Sequence, residues 1–137
     1  MIVHRYRKGH NACGITGMPH NPITQEKIDR RILGWLTDRG YQLIIRNWKY
    51  CHGEVDIIAS RLDRLHFIGV ATQNYPETEF VQQGITRRKM LSIFQAAQQY
   101  IKRNPQWKEA IIDVLTITLK QEEPVHCAIV SDIRIRC

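Results

Sequence analysis

Two neighbouring apolar segments constrain the fold most, because each has the composition of a buried β-strand. The first, Glu54–Ser60, carries two carboxylates among aliphatic residues, and the second is Leu65–Gln73. Branched apolar residues in short runs of this length are typical of strands rather than helices. Residues 61–64 separate the two segments and predict a turn. We therefore expect two consecutive strands at the centre of the protein.

The remaining segments predict two helices and three further strands. One helix is predicted to begin after Thr24 and to stop at Gly40, with apolar residues recurring at helical spacing. A second helix is predicted to follow the cap Thr86 and to run to about Arg103, with an inner face made by Met90, Phe94, Ala97 and Ile101. The further strands are predicted at Tyr41–Asn47, Ala110–Leu119 and Val125–Val130. The order αβββαββ indicates an α/β protein.

The chain has 137 residues, which is enough for one domain with its own core. Residues 1–22 lack hydrophobic periodicity and contain several glycines and prolines, so they predict an irregular N-terminal arm before a single domain at 23–137. The arm contains four potential zinc ligands whose spacing fits no zinc pattern: His4, His10, Cys13 and His20. No apolar run is long enough to span a bilayer.

Charge and cysteine usage bound the class of partner and the compartment. The formal net charge is +7, and residues 1–49 carry nine Lys/Arg against three Asp/Glu. A net positive charge is compatible with a phosphate-rich partner such as DNA or RNA. The four cysteines show no metal-binding spacing, so free thiols and a cytoplasmic location are expected.

The two carboxylates of the first central strand allow two interpretations. Side chains two residues apart on a strand share a face, so Glu54 and Asp56 are predicted to point the same way. Carboxylates on an apolar strand are costly unless they are solvated, paired or bound to a cation. They could lie near an open strand end and pair with Arg46 or Lys49, or they could belong to a functional site.

Several blocks of sequence, taken in order, resemble the YraN family, small bacterial proteins of the PD-(D/E)xK restriction-endonuclease-like superfamily that are related to Holliday-junction resolvases. The matching blocks are Trp35–Tyr41, Asn47 with Gly53–Ile58, Ile85–Lys89 with Ala96 and Ala97, and Ile112–Val114. They fall within about four-fifths of the chain. The resemblance implies a restriction-endonuclease-like domain with a mixed central β-sheet flanked by helices.

The resemblance also implies a site for Mg²⁺. In that superfamily a helix-borne acid, a strand-borne acid and a Glu-x-Lys pair hold one or two Mg²⁺ ions that neutralise charge during phosphodiester hydrolysis. Asp29 falls where the family has its helix acid, and Asp56 matches the central metal-binding Asp. By the resemblance, therefore, Asp56 and Asp29 are the candidate metal ligands, and Mg²⁺ is the cofactor of any catalytic capacity that remains.

The chain departs from the family at the third strand. Gly69 stands in place of the Glu and Ala71 in place of the Lys, so a vestigial site made of Asp29, Glu54 and Asp56 is expected, without endonuclease activity. Losing a cation that positions a nucleophile commonly removes several kcal/mol of transition-state stabilisation. The alternative is an active Mg²⁺-dependent endonuclease with a relocated acid or lysine, for which Glu54 and Lys89 are the nearby candidates.

Basic residues suggest a nucleic-acid-binding surface. The candidates lie on the first strand and at the start of the second helix: Arg46, Lys49, Arg87, Arg88 and Lys89. Backbone N–H groups at a helix N-terminus already favour anions. The leading expectation is a pseudoenzyme that binds nucleic acid non-specifically. A protein-interaction module that binds no nucleic acid remains open, and a homodimer would be consistent with related resolvases.

Overall fold

The structure, a computed structural model, describes residues 22–74 and 86–136. The elements follow one another as α1 (Pro22–Asp38), β1 (Gln42–Tyr50), β2 (Gly53–Arg61), β3 (Arg64–Asn74), α2 (Arg87–Arg103), β4 (Glu109–Lys120) and β5 (Glu123–Arg136). The predicted α/β class and the order αβββαββ are confirmed. Residues 1–21 of the predicted arm lie outside the described residues, so that domain boundary stays a prediction.

The five strands form one mixed sheet in the order β1-β2-β3-β4-β5. The pairs β1–β2, β2–β3 and β4–β5 are antiparallel, whereas β3 and β4 run parallel. Parallel neighbours need a crossover connection, and α2 lies between β3 and β4 in the chain. This mixed sheet with its two helices is consistent with a restriction-endonuclease-like fold.

Each face of the sheet carries its own buried cluster. The α1 cluster joins that helix to β2, β3, β4 and β5 through the apolar face predicted from the sequence, whose buried residues are Ile28, Ile32 and Leu36. The α2 cluster packs that helix against β2, β3 and β4. Neither helix in the described parts of the chain has the length and apolar character of a membrane span.

The ends of both helices follow from local sequence, with one correction. Gly40 has φ +90 and follows α1, where Gly40 N–H donates to the Thr37 carbonyl and Tyr41 N–H to the Leu36 carbonyl. Glycine adopts this conformation without steric cost, so the predicted stop is confirmed. The predicted start after Thr24 is wrong, because α1 begins at Pro22, and proline is favoured in a first helical turn.

Two further expectations about the elements need correction. The last strand was expected to span Val125–Val130, but β5 extends over 14 residues because its ladder with β4 continues to Arg136. The fully buried face of α2 includes Ile93, Ala96 and Tyr100 beside the predicted Ala97. The predicted Met90, Phe94 and Ile101 lie beside this face and are partly buried.

Candidate functional site

A cleft of about 510 Å³ lies between α1 and the place where β2 and β3 separate. The pairing of these strands runs from Arg61↔Arg64 to Ile57↔Ile68, and Asp56 and Val70 lie just beyond it. The polar residues that line the cleft come from both helices and all three of the first strands: Gln25, Asp29, Arg46, Asn47, Asp56, Thr72, Asn74 and Lys89. The cleft therefore brings together Asp29, Asp56, Arg46 and Lys89 of the predicted site residues.

An irregularity in β1 and β2 turns consecutive residues toward this cleft. Arg46 pairs with Ile57 and Trp48 with Val55, so Asn47 and Asp56 lie between these two pairs. Asn47 has φ 53, in the left-handed region that asparagine tolerates better than most residues. Because alternation is broken here, Arg46 and Asn47 both line the cleft, and so do Asp56 and Ile57.

The same irregularity changes the expected faces of β2. From the sequence, regular alternation along this strand predicts that Val55, Ile57 and Ala59 share one face, opposite the two carboxylates. The structure instead places Val55 in the α2 cluster and Ile57 in the α1 cluster, so that prediction is wrong. Glu54 is exposed and is not among the cleft residues, whereas Asp56 is half-buried within it. The two acids do not form a paired site.

Asp56 and Lys89 meet at the backbone of Val70. The Val70 N–H donates to Asp56 Oδ2 at 2.7 Å. Lys89 Nζ lies 3.1 Å from the same Oδ2 and donates to the Val70 carbonyl, also at 3.1 Å. Two side chains thus bond the N–H and C=O of Val70 where the pairing of β2 with β3 has ended.

Asp29 is held by neighbours on α1 and β1. Arg46 Nη2 lies 3.1 Å from Asp29 Oδ2, and Gln25 donates to Asp29 Oδ1 at 3.1 Å. Burial raises the pKa of the Asp29 carboxyl above its ordinary value of 3.8, and the contacts with Gln25 and Arg46 only partly offset this effect. The pKa shift shows that desolvation outweighs the stabilisation of charge at this position.

The donor groups of the cleft do not fit a Mg²⁺ ion. Mg²⁺ requires hard oxygen ligands at about 2.0–2.1 Å in near-octahedral geometry. Oδ2 of Asp56 already accepts a hydrogen bond from the Val70 N–H and forms an ion pair with Lys89, and both oxygens of Asp29 are engaged by Gln25 and Arg46. Among the described residues, no three His, Cys, Asp or Glu side chains form a group that could hold a metal ion.

Gly69 and Ala71 of β3 do not line the cleft. Val70 and Thr72 line it, and Ile68 belongs to the α1 cluster. Because side chains alternate along a strand, Gly69 and Ala71 lie on the opposite face, the one that α2 covers. Lys89 belongs to α2, so it reaches the gap from the side on which a lysine at position 71 would stand.

The remaining basic candidates lie outside the cleft. Arg87 and Arg88 are exposed in the first turn of α2, directly before Lys89. The Thr86 side chain caps this helix by accepting from Lys89 N–H at 3.1 Å. Lys49 is exposed on β1. Lys89 therefore links the cleft to an exposed basic segment at the start of α2.

Sequence reasoning missed four cleft residues, all of them neutral and polar: Gln25, Asn47, Thr72 and Asn74. One signal was available, since an asparagine inside an apolar strand favours a left-handed backbone and a local break in alternation. Thr72 and Asn74 follow Val70 at strand spacing, but the face they share became apparent only with the position of α1. Gln25 carried no signal of its own.

Comparison with known proteins places this chain among bacterial relatives. A family model described as "Uncharacterised protein family UPF0102" matches residues 26–117. A UPF0102 protein of Dictyoglomus thermophilum is 33% identical over 90 residues, which are 65% of this chain and 76% of the relative. A UPF0102 protein of Cytophaga hutchinsonii is 31% identical over 99 residues, covering 72% of this chain and 86% of the relative.

Proposed function

Since the chain belongs to the UPF0102 family, the YraN family of the sequence resemblance, we propose that it is a nuclease-fold protein without metal-dependent activity. It binds the phosphate backbone of DNA or RNA without sequence preference. The observation that carries the proposal is that the chain's own cations engage both cleft carboxylates, Asp56 through Lys89 and Asp29 through Arg46.

The ion pairs of the cleft argue against cleavage by the superfamily's mechanism. The formal charges of the two acids and the two bases cancel, whereas a divalent ion needs a net negative set of oxygen ligands. Gly69 stands in place of the family's second metal-binding acid, and Ala71 stands in place of its lysine, so neither position offers a charged group. Hydrolysis of a phosphodiester would therefore lack the ion that stabilises developing charge.

The exposed basic segment supports binding to phosphates. Arg87 and Arg88 stand at a helix N-terminus, where backbone N–H groups add to their positive charge. Lys49 lies exposed on β1, and the whole chain carries a formal charge of +7. Contacts of this kind position a phosphate backbone without reading bases, so binding is strongly salt-dependent.

The binding proposal is tested by neutralising the basic segment. Affinity for labelled duplex and single-stranded DNA and RNA is measured by fluorescence anisotropy over a series of salt concentrations. Arg87→Gln/Arg88→Gln should weaken binding to every sequence alike and reduce the salt slope by about 1–2, because up to two phosphate contacts are lost. Lys102→Gln/Lys108→Gln removes the same charge from two exposed positions, one in the last turn of α2 and one in the segment that follows it, and should change little.

Equal losses in both double variants would show that net charge alone drives association and would remove the role of the α2 start. No binding of the wild-type protein to any probe at low salt would overturn the proposal. That result would favour the protein-interaction module, whose sign is a partner surface without affinity for nucleic acid.

A second candidate function follows from the position of Lys89. Its ammonium lies beside Asp56, and its side chain comes from α2, the helix that covers the face of the sheet where the family's lysine would stand; this favours an endonuclease with a relocated lysine. That candidate predicts Mg²⁺- or Mn²⁺-dependent cleavage of branched or flapped DNA that Asp56→Ala and Lys89→Ala both abolish. The inactive protein predicts no cleavage above the background of either variant.

We also place the protein in the cytoplasm, where nucleic acid is accessible. Within the described part of the chain, Cys51 and Cys127 are free thiols, which is compatible with a reducing compartment. Fractionation of cells that carry a tagged chain tests this location.

A further inference from the structure

The ammonium group of Lys89 contacts two oxygen atoms of the kind that also bind metal ions. It lies 3.1 Å from a carboxylate oxygen of Asp56 and 3.1 Å from the Val70 carbonyl oxygen. Carboxylate and backbone carbonyl oxygens are hard ligands that Mg²⁺, Mn²⁺ and Ca²⁺ also accept. The two oxygens converge where β2 and β3 separate, and the gap opens into the cleft.

We propose that the Lys89 ammonium acts as a resident cation that fills this position and excludes divalent metal ions. The inference rests on the proposed function, because it gives the reason why the donor groups of the cleft do not accept a divalent ion. It goes further by predicting that a divalent-cation site remains in the fold and is closed by one side chain. Lys89 is then a positioning residue for Asp56, and removing its charge opens the site.

The surrounding structure holds the ammonium in place. The Thr86 cap fixes the backbone at Lys89, and α2 packs closely against β2. Asp56 Oδ2 is fixed in turn by the Val70 N–H at 2.7 Å. The side chains of Lys89 and Asp56 are 40% and 26% exposed, so water and ions reach both groups from the cleft. A metal ion that approached these two oxygens would have to displace the positively charged Lys89 ammonium from both of them.

The test is Mn²⁺ binding. It is measured in two ways: by electron paramagnetic resonance of the free ion, and by the shift in melting temperature at saturating Mn²⁺. No nucleic acid is present. Wild-type protein should show no saturable binding. Lys89→Met should bind Mn²⁺ at least about tenfold more tightly than the wild-type protein does. Its melting temperature should rise when the ion is added, since a ligand that binds the folded state stabilises it.

Three variants make this result specific. Lys89→Arg keeps a cation and should stay closed. Lys89→Met/Asp56→Asn removes a ligand and should lose the gain. Lys102→Met deletes the same charge from the exposed end of α2 and should behave as wild type, which separates a local site from a general change in net charge.

The proposal is overturned if Lys89→Met gains no binding or if Lys102→Met gains as much. It is also overturned if the wild-type protein binds Mn²⁺ as tightly as Lys89→Met, a result that would favour the relocated-lysine nuclease. Failure of the proposed nucleic-acid binding would leave this measurement unchanged, because the two experiments use different ligands and different readouts.

Discussion

Gly53 shows how a single residue sets the distance between α2 and β2. A Cβ atom at this position would lie 2.5 Å from Ala96 N and 2.9 Å from Ala96 Cα, both of them backbone atoms of α2. The glycine is required by close approach, since no left-handed backbone angle is involved. The Gly53-Glu54-Val55-Asp56 block thus combines a packing residue with the acid that lines the cleft.

We expect Gly53→Ala to lower the free energy of unfolding by about 1–3 kcal/mol, because the backbone of α2 must shift to admit the methyl group. The matched control is Gly34→Ala. Gly34 is exposed within α1, and its added Cβ would meet no atom within 4 Å. That change should stabilise the fold by about 0.5–1 kcal/mol. Urea unfolding of both variants measures the difference, and a loss in Gly34→Ala would contradict this account.

His66 and Asp113 form a buried polar pair beneath α1. His66 Nδ1 lies 2.6 Å from Asp113 Oδ2, and Asp113 is completely buried. The other carboxylate oxygen, Oδ1, has no hydrogen-bond partner among the described residues. The pair is therefore only partly satisfied, and Asp113 depends on His66 for its side-chain hydrogen bond.

His66→Ala should destabilise the protein by about 3 kcal/mol or more, because it leaves a buried carboxyl group without a partner. The double variant His66→Ala/Asp113→Ala should cost clearly less than the sum of the two single losses, since neither polar group then remains. Equilibrium denaturation of the three variants gives the coupling energy. The exposed His126, changed to alanine, serves as the control and should have little effect. Strict additivity would show that the pair is not coupled.

At the level of elements, regular periodicity predicted what is regular in the structure. The element order, the buried face of α1, the cap at Thr86 and the stop at Gly40 followed from spacing and local conformational preference. The orientation of Asp56 could not be predicted in the same way, because it depends on Asn47 and on the end of the β2–β3 ladder. The contact with Lys89 joins a strand to a helix through the tertiary fold, so it could not be predicted from the spacing of residues along the chain.

The left-handed conformation of Asn47 is tested by substitution at that residue alone. Asn47→Val should destabilise the fold by about 1–3 kcal/mol, because a β-branched residue is strained at φ 53. Asn47→Gly keeps this conformation accessible and should change stability by less than about 1 kcal/mol. Thermal unfolding ranks the two variants, and equal losses would argue against a required left-handed backbone.

For the whole molecule, burial of charge at Asp29 links stability to pH. The folded protein raises the pKa of this carboxyl above the ordinary value of 3.8, chiefly through desolvation. A raised folded pKa means that the folded state binds the proton more tightly than the unfolded state does. Its contribution to stability is therefore present below the ordinary pKa and is lost as the pH rises through the folded value.

Asp29→Asn removes this titration. Relative to the variant, the wild-type protein should lose stability as the pH rises from about 3 toward 7, and the difference should level off above the folded pKa. Chemical denaturation of both proteins over this range measures the trend. A difference that stays constant with pH, or one that moves in favour of the wild type, would show that the Arg46 contact outweighs desolvation at Asp29.

The parallel pairing of β3 with β4 requires α2 as its crossover, and the same helix carries Lys89 to Asp56. The cleft is therefore complete only after the chain has crossed back over the sheet. A nascent protein that still lacks this helix would expose Asp56 without its counter-ion, Lys89. During synthesis, the order in which segments emerge decides when the carboxylate becomes neutralised.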